Sequence, residues 1–222
     1  MSSSVEIVSP RSVRIDVGSA ALNADLGLPP DARGLVVFAH GSGSSRHSSR
    51  NRAVAAALHR RQLSTLALDL LTEREALVDD VTAQFRFDIP LLAERVVGAI
   101  DWAQADEAVS SLPVSLFGAS TGAAAALMAA AERPNIVRSV VSRGGRPDLA
   151  AQSLERVAAP TLLIVGGRDD AVIELNRDAA ARLVSAAHEL HIVPGATHLF
   201  EEPGALAEVA RVAADWFVKY GT

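Results

Sequence analysis

The sequence predicts an α/β protein built on a doubly wound, mainly parallel β-sheet that begins with an antiparallel hairpin. Three observations support this fold class. Short apolar runs alternate with helix-length segments, the run at 35–39 is apolar on both faces, and 49% of the 222 residues are hydrophobic. A strand that is apolar on both faces belongs in a sheet covered by helices on each side. A single domain over 1–222 is expected, because this length is usual for one α/β domain.

The elements follow one another in a regular order. Two antiparallel strands are predicted at 13–17 and 20–26, where apolar and polar residues partly alternate around Gly18 and Ser19. A βαβ rhythm follows and specifies the parallel sheet. The remaining strands are predicted at 35–39, 64–68, 114–117, 136–142, 161–165 and 189–193, and the helices at 50–59, 89–103, 121–131, 176–186 and 205–219.

Two features of this pattern describe the surroundings of the sheet. The helices at 89–103 and 205–219 each carry one apolar face, which predicts that they pack on the sheet. Residues 144–147 are predicted to form a loop, and the segment 143–160 is too short for a helical cap domain. We therefore expect an open site that favours small or exposed acyl groups over long lipid chains.

Composition and charge exclude several classes of protein. The chain has no cysteine, which excludes a disulfide framework, a thiolate metal site and a cysteine nucleophile. A formal net charge of −5 at pH 7 argues against nucleic acid as a partner. No apolar run approaches the roughly 20 residues of a membrane-spanning helix, and the N-terminus has no secretory or transit pattern. We expect a cytoplasmic protein that acts on a small molecule. The sequence leaves open whether the protein forms a homodimer.

The sharpest functional motif is Gly118-Ala-Ser120-Thr-Gly122, which lies between an apolar strand and an alanine-rich helix. G-x-S-x-G at a strand-to-helix turn is the pattern of a nucleophile elbow. Such a turn strains the backbone of the serine, and small residues on both sides prevent collisions there. Free N–H groups at the start of the helix face the reacting oxygen. Ser120 is therefore the predicted nucleophile.

A nucleophilic serine needs a base, and His198 has the best position of the six histidines. It follows the strand at 189–193, near the carboxyl end of the sheet, where ligand sites form in such folds. His59, His188 and His191 lie within or beside regular elements and are interpreted as structural or exposed. His188 and His191 also lack the i, i+4 spacing of a metal-binding helix, and neither a metal nor an organic cofactor is predicted.

A carboxylate must orient the base. Asp169 and Asp170 follow the apolar strand at 161–165, again at a carboxyl strand end, and give the chain order serine, aspartate, histidine. Asp169 is preferred because it lies nearer to the strand, and Asp170 stays open as the alternative.

Two backbone N–H groups are needed to bind the oxygen that becomes negative in the tetrahedral intermediate. Thr121 N–H, directly after the nucleophile, is one candidate, and Ser42 N–H in the glycine- and serine-rich loop at 40–45 is the other. This loop lacks the lysine of a P-loop and the glycine spacing of a dinucleotide fingerprint, so nucleotide binding is not expected.

Three arginines, Arg46, Arg50 and Arg143, lie on loops or element ends that should surround Ser120. Arginine can bind a carboxylate through two parallel hydrogen bonds. Arg46 and Arg143 are therefore candidates for binding an acidic group of the substrate. The alternative, that these arginines are solvated surface residues, stays open.

Four motifs together resemble the α/β-hydrolase superfamily and, within it, the small dienelactone-hydrolase-like members. They are His-Gly-Ser-Gly at 40–43, the elbow at 118–122, Gly-Arg-Asp at 167–169 and Gly-Ala-Thr-His at 195–198. The resemblance covers nearly the whole chain and implies a hydrolase without cofactor that cleaves ester, lactone or thioester bonds through an acyl-enzyme. Dienelactone hydrolases proper use a cysteine nucleophile, whereas this chain has Ser120, which argues against dienelactone itself as the substrate.

The sequence thus predicts a carboxylesterase-like serine hydrolase. In this mechanism Ser120 attacks a carbonyl carbon, His198 accepts the serine proton and Asp169 orients His198. Two alternatives stay open. One is a catalytically idle hydrolase fold that binds a small molecule or a protein. The other is an acyltransferase or perhydrolase that uses the same triad.

Overall fold

Eight strands form one central sheet in the computed structural model, which describes residues 8–222. The strands are β1 (Arg11–Val17), β2 (Ala20–Gly27), β3 (Gly34–Ala39), β4 (Leu63–Leu68), β5 (Val114–Ala119), β6 (Val137–Arg143), β7 (Thr161–Gly166) and β8 (His188–Val193). Their order across the sheet is β1-β2-β4-β3-β5-β6-β7-β8. The pairs β1–β2 and β2–β4 are antiparallel, and all other neighbouring strands are parallel. The predicted fold class is therefore confirmed.

Helices cover both faces of this sheet. They are α1 (Ser49–His59), α2 (Glu73–Thr82), α3 (Ile89–Ala105), α4 (Thr121–Glu132), α5 (Asp170–Arg182) and α6 (Ala205–Tyr220), with a 3-10 segment at Pro147–Arg156. Buried residues of α3 and α4 form one core cluster with the hairpin, and those of α1 and α6 form a second. None of the helices in residues 8–222 is long and apolar enough to cross a membrane.

The two core clusters lie on opposite faces because side chains alternate along each strand. In β6, Val140 belongs to the cluster with α3 and α4, whereas Val141 belongs to the cluster with α1 and α6. Arg143 has the same parity as Val141, so its side chain is on the α1 and α6 face. This placement matters for the site described below.

One helix was missed and the bounds of another were wrong. Helix α2 was not predicted, because its sequence has no apolar face and leaves Leu77 and Val81 exposed. A reciprocal capping box between Thr72 and Glu75 stabilises its first turn instead. The helix predicted at 176–186 is α5, which begins at Asp170 and ends at Arg182.

The segment between β6 and β7 holds only the 3-10 helix Pro147–Arg156, which packs against α4 and α5. No cap domain covers the carboxyl edge of the sheet here, and the predicted loop at 144–147 passes directly into this short helix. The N-terminal pattern judged from the sequence falls on residues 1–7, which lie outside the described residues.

Candidate active site

Ser120 occupies the turn between β5 and α4 with φ of 51° and ψ of −122°. A positive φ in a residue other than glycine is strained and persists only where the surrounding structure fixes it. Ser120 N–H donates to Arg143 O at 3.2 Å, and Ser120 O accepts from Ala123 N–H and from Arg146 N–H, both at 3.1 Å. Both backbone polar groups of the serine are therefore bonded, and these bonds hold the strained turn.

Small residues around the turn allow close backbone contacts. A Cβ atom at Gly118 would lie 2.4 Å from Ala123 Cα, and one at Gly122 would lie 2.3 Å from His40 O. A Cβ at Gly41 would lie 3.0 Å from Ser120 Cβ. The loop after β3 is thus packed directly against the serine, and glycine is needed at the two positions with sub-3 Å contacts.

His198 lies in the loop between β8 and α6, and its Nδ1 is 2.6 Å from Asp169 Oδ2. Asp169 directly precedes α5 and is positioned by the turn after β7, where Arg168 N–H donates to Ala196 O at 2.9 Å. The carboxylate accepts a hydrogen bond from Nδ1–H, the tautomer in which Nε2 of His198 carries the lone pair and can act as a base. Asp169, and not Asp170, is the aspartate that contacts the histidine.

The turn after β6 lies between the serine and the histidine. A Cβ at Gly144 would lie 3.1 Å from His198 O and 3.5 Å from His198 Cε1, and the adjacent Arg143 and Arg146 hold the backbone of Ser120. Among residues 8–222, the ring of His198 is hydrogen-bonded only to Asp169. Hydrogen bonds between nucleophile and base are often loose in ligand-free enzymes and tighten when substrate binds.

The oxyanion site differs from the prediction in one respect. Ser42 N–H is not free: it donates to Thr121 Oγ1 at 3.0 Å, and the hydroxyl oxygens of Ser42 and Thr121 are also 3.0 Å apart. The two residues predicted to supply donors therefore lie side by side, but Ser42 N–H is already bonded to the Thr121 hydroxyl. A substrate oxygen has to replace this hydroxyl before Ser42 N–H can bind it.

His40 supports the same loop, a role that the sequence did not indicate. It is buried, its Nδ1 lies 2.9 Å from Gly41 O, and its Nε2 accepts Leu70 N–H at 3.1 Å. These partners fit the neutral ring with its proton on Nδ1. Burial lowers the pKa of His40, which keeps the ring neutral. The only signal in the sequence was the position of His40 immediately before the glycine of the loop.

Arg46 is paired with two carboxylates of the protein. Its backbone N–H donates to Asp69 Oδ1 at 2.7 Å, its Nη1 bonds Asp69 Oδ2, and its Nε lies 3.5 Å from Asp25 Oδ2. Two carboxylates thus neutralise this guanidinium and tie the loop after β3 to β2 and to the end of β4. That Arg46 binds an acidic group of the substrate stays a prediction, and these two counter-ions reduce the charge that Arg46 can offer to such a group.

Arg143 is placed differently. It is only 7% exposed, and its Nε and Nη1 are enclosed without a hydrogen-bond partner. Burial lowers the pKa of Arg143 to about 10, and the nearby positive charge of Arg50 adds to this effect. The guanidinium therefore still carries its charge at neutral pH.

A cavity of about 500 Å³ opens beside Ser42 and Thr121, between the loop after β3, the end of β4 and helix α2. Its lining is part polar and part apolar and includes several hydroxyl groups. Arg86 in its wall is held by Asp79 through three hydrogen bonds of 2.7–2.9 Å. Among residues 8–222, no group of three or more histidine, aspartate or glutamate side chains is arranged to hold a metal ion.

Comparison with known proteins identifies the family. Residues 49–219 match the model of the dienelactone hydrolase family. The chain belongs to the dienelactone hydrolase family. A crystal structure of a dienelactone hydrolase from Anabaena variabilis is 53% identical in sequence, with a TM-score of 0.95 over 97% of this chain and 99% of that chain. The resemblance seen in the four sequence motifs is thus confirmed, and the α/β-hydrolase fold of this family is the fold described above.

One structural neighbour at low sequence identity and two longer curated proteins complete the comparison. Est1E from Butyrivibrio proteoclasticus is 17% identical with a TM-score of 0.77 over 94% of this chain and 98% of that chain, a likeness that concerns the fold alone. Two curated proteins from strains of Mycobacterium tuberculosis are 53% identical over 208 residues and are provisionally named phosphoribosyl transferases. The alignment covers 94% of this chain but only 46% of those proteins, so this dienelactone hydrolase family member spans about half of their length.

Proposed function

We propose that this chain is a serine hydrolase that cleaves carboxylic ester, lactone or thioester bonds of small molecules through an acyl-enzyme. One observation carries the proposal. Ser120 occupies a strained elbow at the carboxyl edge of the sheet, and the 2.6 Å pair of His198 and Asp169 lies at the same edge, against the turn that holds the serine. This combination supplies a nucleophile, a base and a group that orients the base.

The first half of the reaction uses these groups in turn. Ser120 Oγ attacks the carbonyl carbon while its proton moves to Nε2 of His198, and the carboxylate of Asp169 stabilises the imidazolium that forms. The carbonyl oxygen becomes negative and accepts hydrogen bonds from Thr121 N–H and Ser42 N–H. The bond to the leaving alcohol or thiol then breaks, the leaving group takes the proton from His198, and the acyl group remains on Ser120.

Water completes the cycle. His198, now neutral again, removes a proton from a water molecule that attacks the acyl carbon. The second tetrahedral intermediate then collapses, the bond between Ser120 Oγ and the acyl carbon breaks, and His198 returns the proton to Ser120 Oγ as the acid is released. Transfer of the same acyl group to an alcohol or to peroxide needs no further residue. Product analysis with water, glycerol and hydrogen peroxide as competing acceptors separates hydrolysis from these transfers.

The surroundings favour small substrates. No cap domain covers the site in residues 8–222, and the cavity beside Ser42 and Thr121 measures about 500 Å³, with polar and apolar surface in similar amounts. An open cavity that is only partly apolar gives a long acyl chain limited apolar surface to bury. We expect kcat/KM for p-nitrophenyl esters to be highest for acetate or butyrate and to fall for octanoate.

Labelling with a fluorophosphonate probe tests the proposal without a choice of substrate. Intact-mass analysis and peptide mapping are expected to find one adduct on Ser120, absent from Ser120→Ala and retained in Ser110→Ala, which removes an exposed serine far from the site. His198→Ala is expected to slow the labelling. A folded protein that takes no adduct at neutral pH would contradict the proposal and favour an idle fold that binds ligands.

A further inference from the structure

The guanidinium of Arg143 is a buried charge for which the mechanism above has no use. Its Nε and Nη1 are enclosed without an acceptor, and no carboxylate among residues 8–222 forms an ion pair with it. Burying a charged group without a counter-ion or hydrogen bonds opposes folding strongly. A partner that binds from outside the protein would satisfy this group.

A second arginine makes the local charge more positive. Arg50, in the first turn of α1, is the charged group that acts on Arg143, and its own Nε is also enclosed without an acceptor. Its Nη1 contacts Glu201 Oε1 at 3.3 Å, but that carboxylate is 67% exposed and, among residues 8–222, forms an ion pair with Arg50 alone. Four N–H groups of the two arginines therefore lack acceptors in the described residues: one on Nε of Arg50, one on Nε of Arg143 and two on Nη1 of Arg143.

The pair lies next to the nucleophile. Arg143 is the last residue of β6, its Cα is paired with that of Ala119, and its backbone oxygen accepts Ser120 N–H at 3.2 Å. Neighbouring strands are about 4.8 Å apart, so the backbone of Arg143 is one strand spacing from the elbow. The side chain is on the α1 and α6 face, and Arg143 does not line the cavity at Ser42 and Thr121.

We propose that Arg143 and Arg50 form a subsite for a phosphate group carried by the substrate, an inference that rests on the proposed hydrolase function. A phosphate monoester has a charge close to −2 at neutral pH, and its three terminal oxygens accept several N–H bonds at once. A carboxylate has only two oxygens to accept the four N–H groups that lack acceptors. The substrate class is then an ester or thioester with a phosphate on its acyl or alcohol part.

Binding is measured first, on Ser120→Ala, so that turnover plays no part. Inorganic phosphate is titrated at constant ionic strength by calorimetry and by the shift of Tm. Phosphate is expected to raise the Tm of Ser120→Ala in a saturable way. This rise is expected to disappear when Arg143→Met is added and to remain when Arg138→Met is added. Arg138 is the matched control because it is an exposed arginine on the same strand. Acetate is expected to bind at least tenfold more weakly than phosphate.

Selectivity is measured next, on the protein with Ser120 in place. We compare kcat/KM for 2-acetoxyethyl phosphate with kcat/KM for 2-methoxyethyl acetate and expect the first to be more than about tenfold higher. In Arg143→Met this ratio is expected to fall by about 10- to 100-fold, because charge-assisted hydrogen bonds are lost. Arg138→Met is expected to keep the ratio. Arg50→Gln, at a partly exposed position, provides a second variant in case Arg143→Met does not fold, with phosphate affinity reduced about tenfold.

The outcomes distinguish this inference from the function on which it rests. A rise in Tm that is equal in Arg143→Met and Arg138→Met would overturn the subsite, and so would a substrate ratio near one. Acetate binding as tight as phosphate would overturn the assignment to a phosphate group. If neutral esters are hydrolysed without any effect of phosphate, the subsite fails and the hydrolase stands. If phosphate binds at Arg143 but Ser120 takes no probe, the hydrolase fails and the anion site stands.

Discussion

Replacing Asp169 by asparagine removes the negative charge beside His198 and leaves the shape of the side chain almost unchanged. The carboxylate oxygen is 2.6 Å from His198 Nδ1, with side-chain exposures of 17% for Asp169 and 38% for His198, so water screens the pair only in part. At about 4 Å between charge centres and an effective dielectric constant of about 20, the attraction is about 4 kcal/mol. Because the imidazolium forms only as Ser120 attacks the carbonyl carbon, we expect kcat to fall by about 1,000-fold while KM changes little.

The assay is the steady-state hydrolysis of p-nitrophenyl acetate by the wild-type protein, Asp169→Asn and Asp170→Asn. The neighbouring variant is the matched control, since Asp170 is the first residue of α5 and does not contact His198 among the described residues. We expect Asp170→Asn to stay within about twofold of wild type. Equal losses in the two variants, or a larger loss in Asp170→Asn, would refute the reasoning that assigns the orienting carboxylate to Asp169.

Three further predictions concern stability. Arg143→Met removes a buried charge without a counter-ion. In urea denaturation, the free energy of unfolding is expected to be unchanged or higher by up to about 4 kcal/mol. A large loss of stability would mean that the charge has a partner within the fold. Gly122→Ala places a Cβ 2.3 Å from His40 O and is expected to cost about 3 kcal/mol, whereas Gly195→Ala, with φ of 74° and no atom within 4 Å, is expected to cost about 1 kcal/mol. Equal costs would contradict this packing. Because the pKa of His40 is lowered by folding, the unfolded chain binds a proton at this ring more readily than the folded protein does. The stability that the neutral ring contributes is therefore present above the unfolded pKa near 6.5 and is lost as the pH falls below that value. Between pH 6.5 and 5.5 the free energy of unfolding is expected to fall by about 1 kcal/mol more in wild type than in His40→Asn; parallel pH profiles would refute this assignment.

The sequence predicts the sheet well because its information is local. Apolar runs such as 35–39 and 161–165 correspond to β3 and β7 within one residue, since a strand buried on both faces needs continuous apolar residues. The position of Ser120 at a strand-to-helix turn follows from the same kind of pattern, because glycines and a strand end determine the elbow.

The parts that the sequence did not predict depend on capping or on distant residues. Helix α2 has no apolar face, and its capping box, rather than periodicity, marks its start. The ion pairs of Arg46 could not be predicted because its carboxylate partners, Asp25 and Asp69, are about twenty residues away on either side in the chain. Whether Arg143 is buried without a partner likewise depends on the packing of elements that are distant in sequence.

The central claim is that Ser120 carries the acyl group during turnover, and trapping that intermediate tests it most directly. The protein is mixed with p-nitrophenyl acetate, quenched in acid at short times and analysed by intact mass and peptide mapping. We expect one acetyl group on the peptide that contains Ser120, formed more slowly in Asp169→Asn and absent from Ser120→Ala. Ester hydrolysis that continues in Ser120→Ala at the wild-type rate, or an acetyl group on a different residue that forms and decays at the turnover rate, would contradict the mechanism.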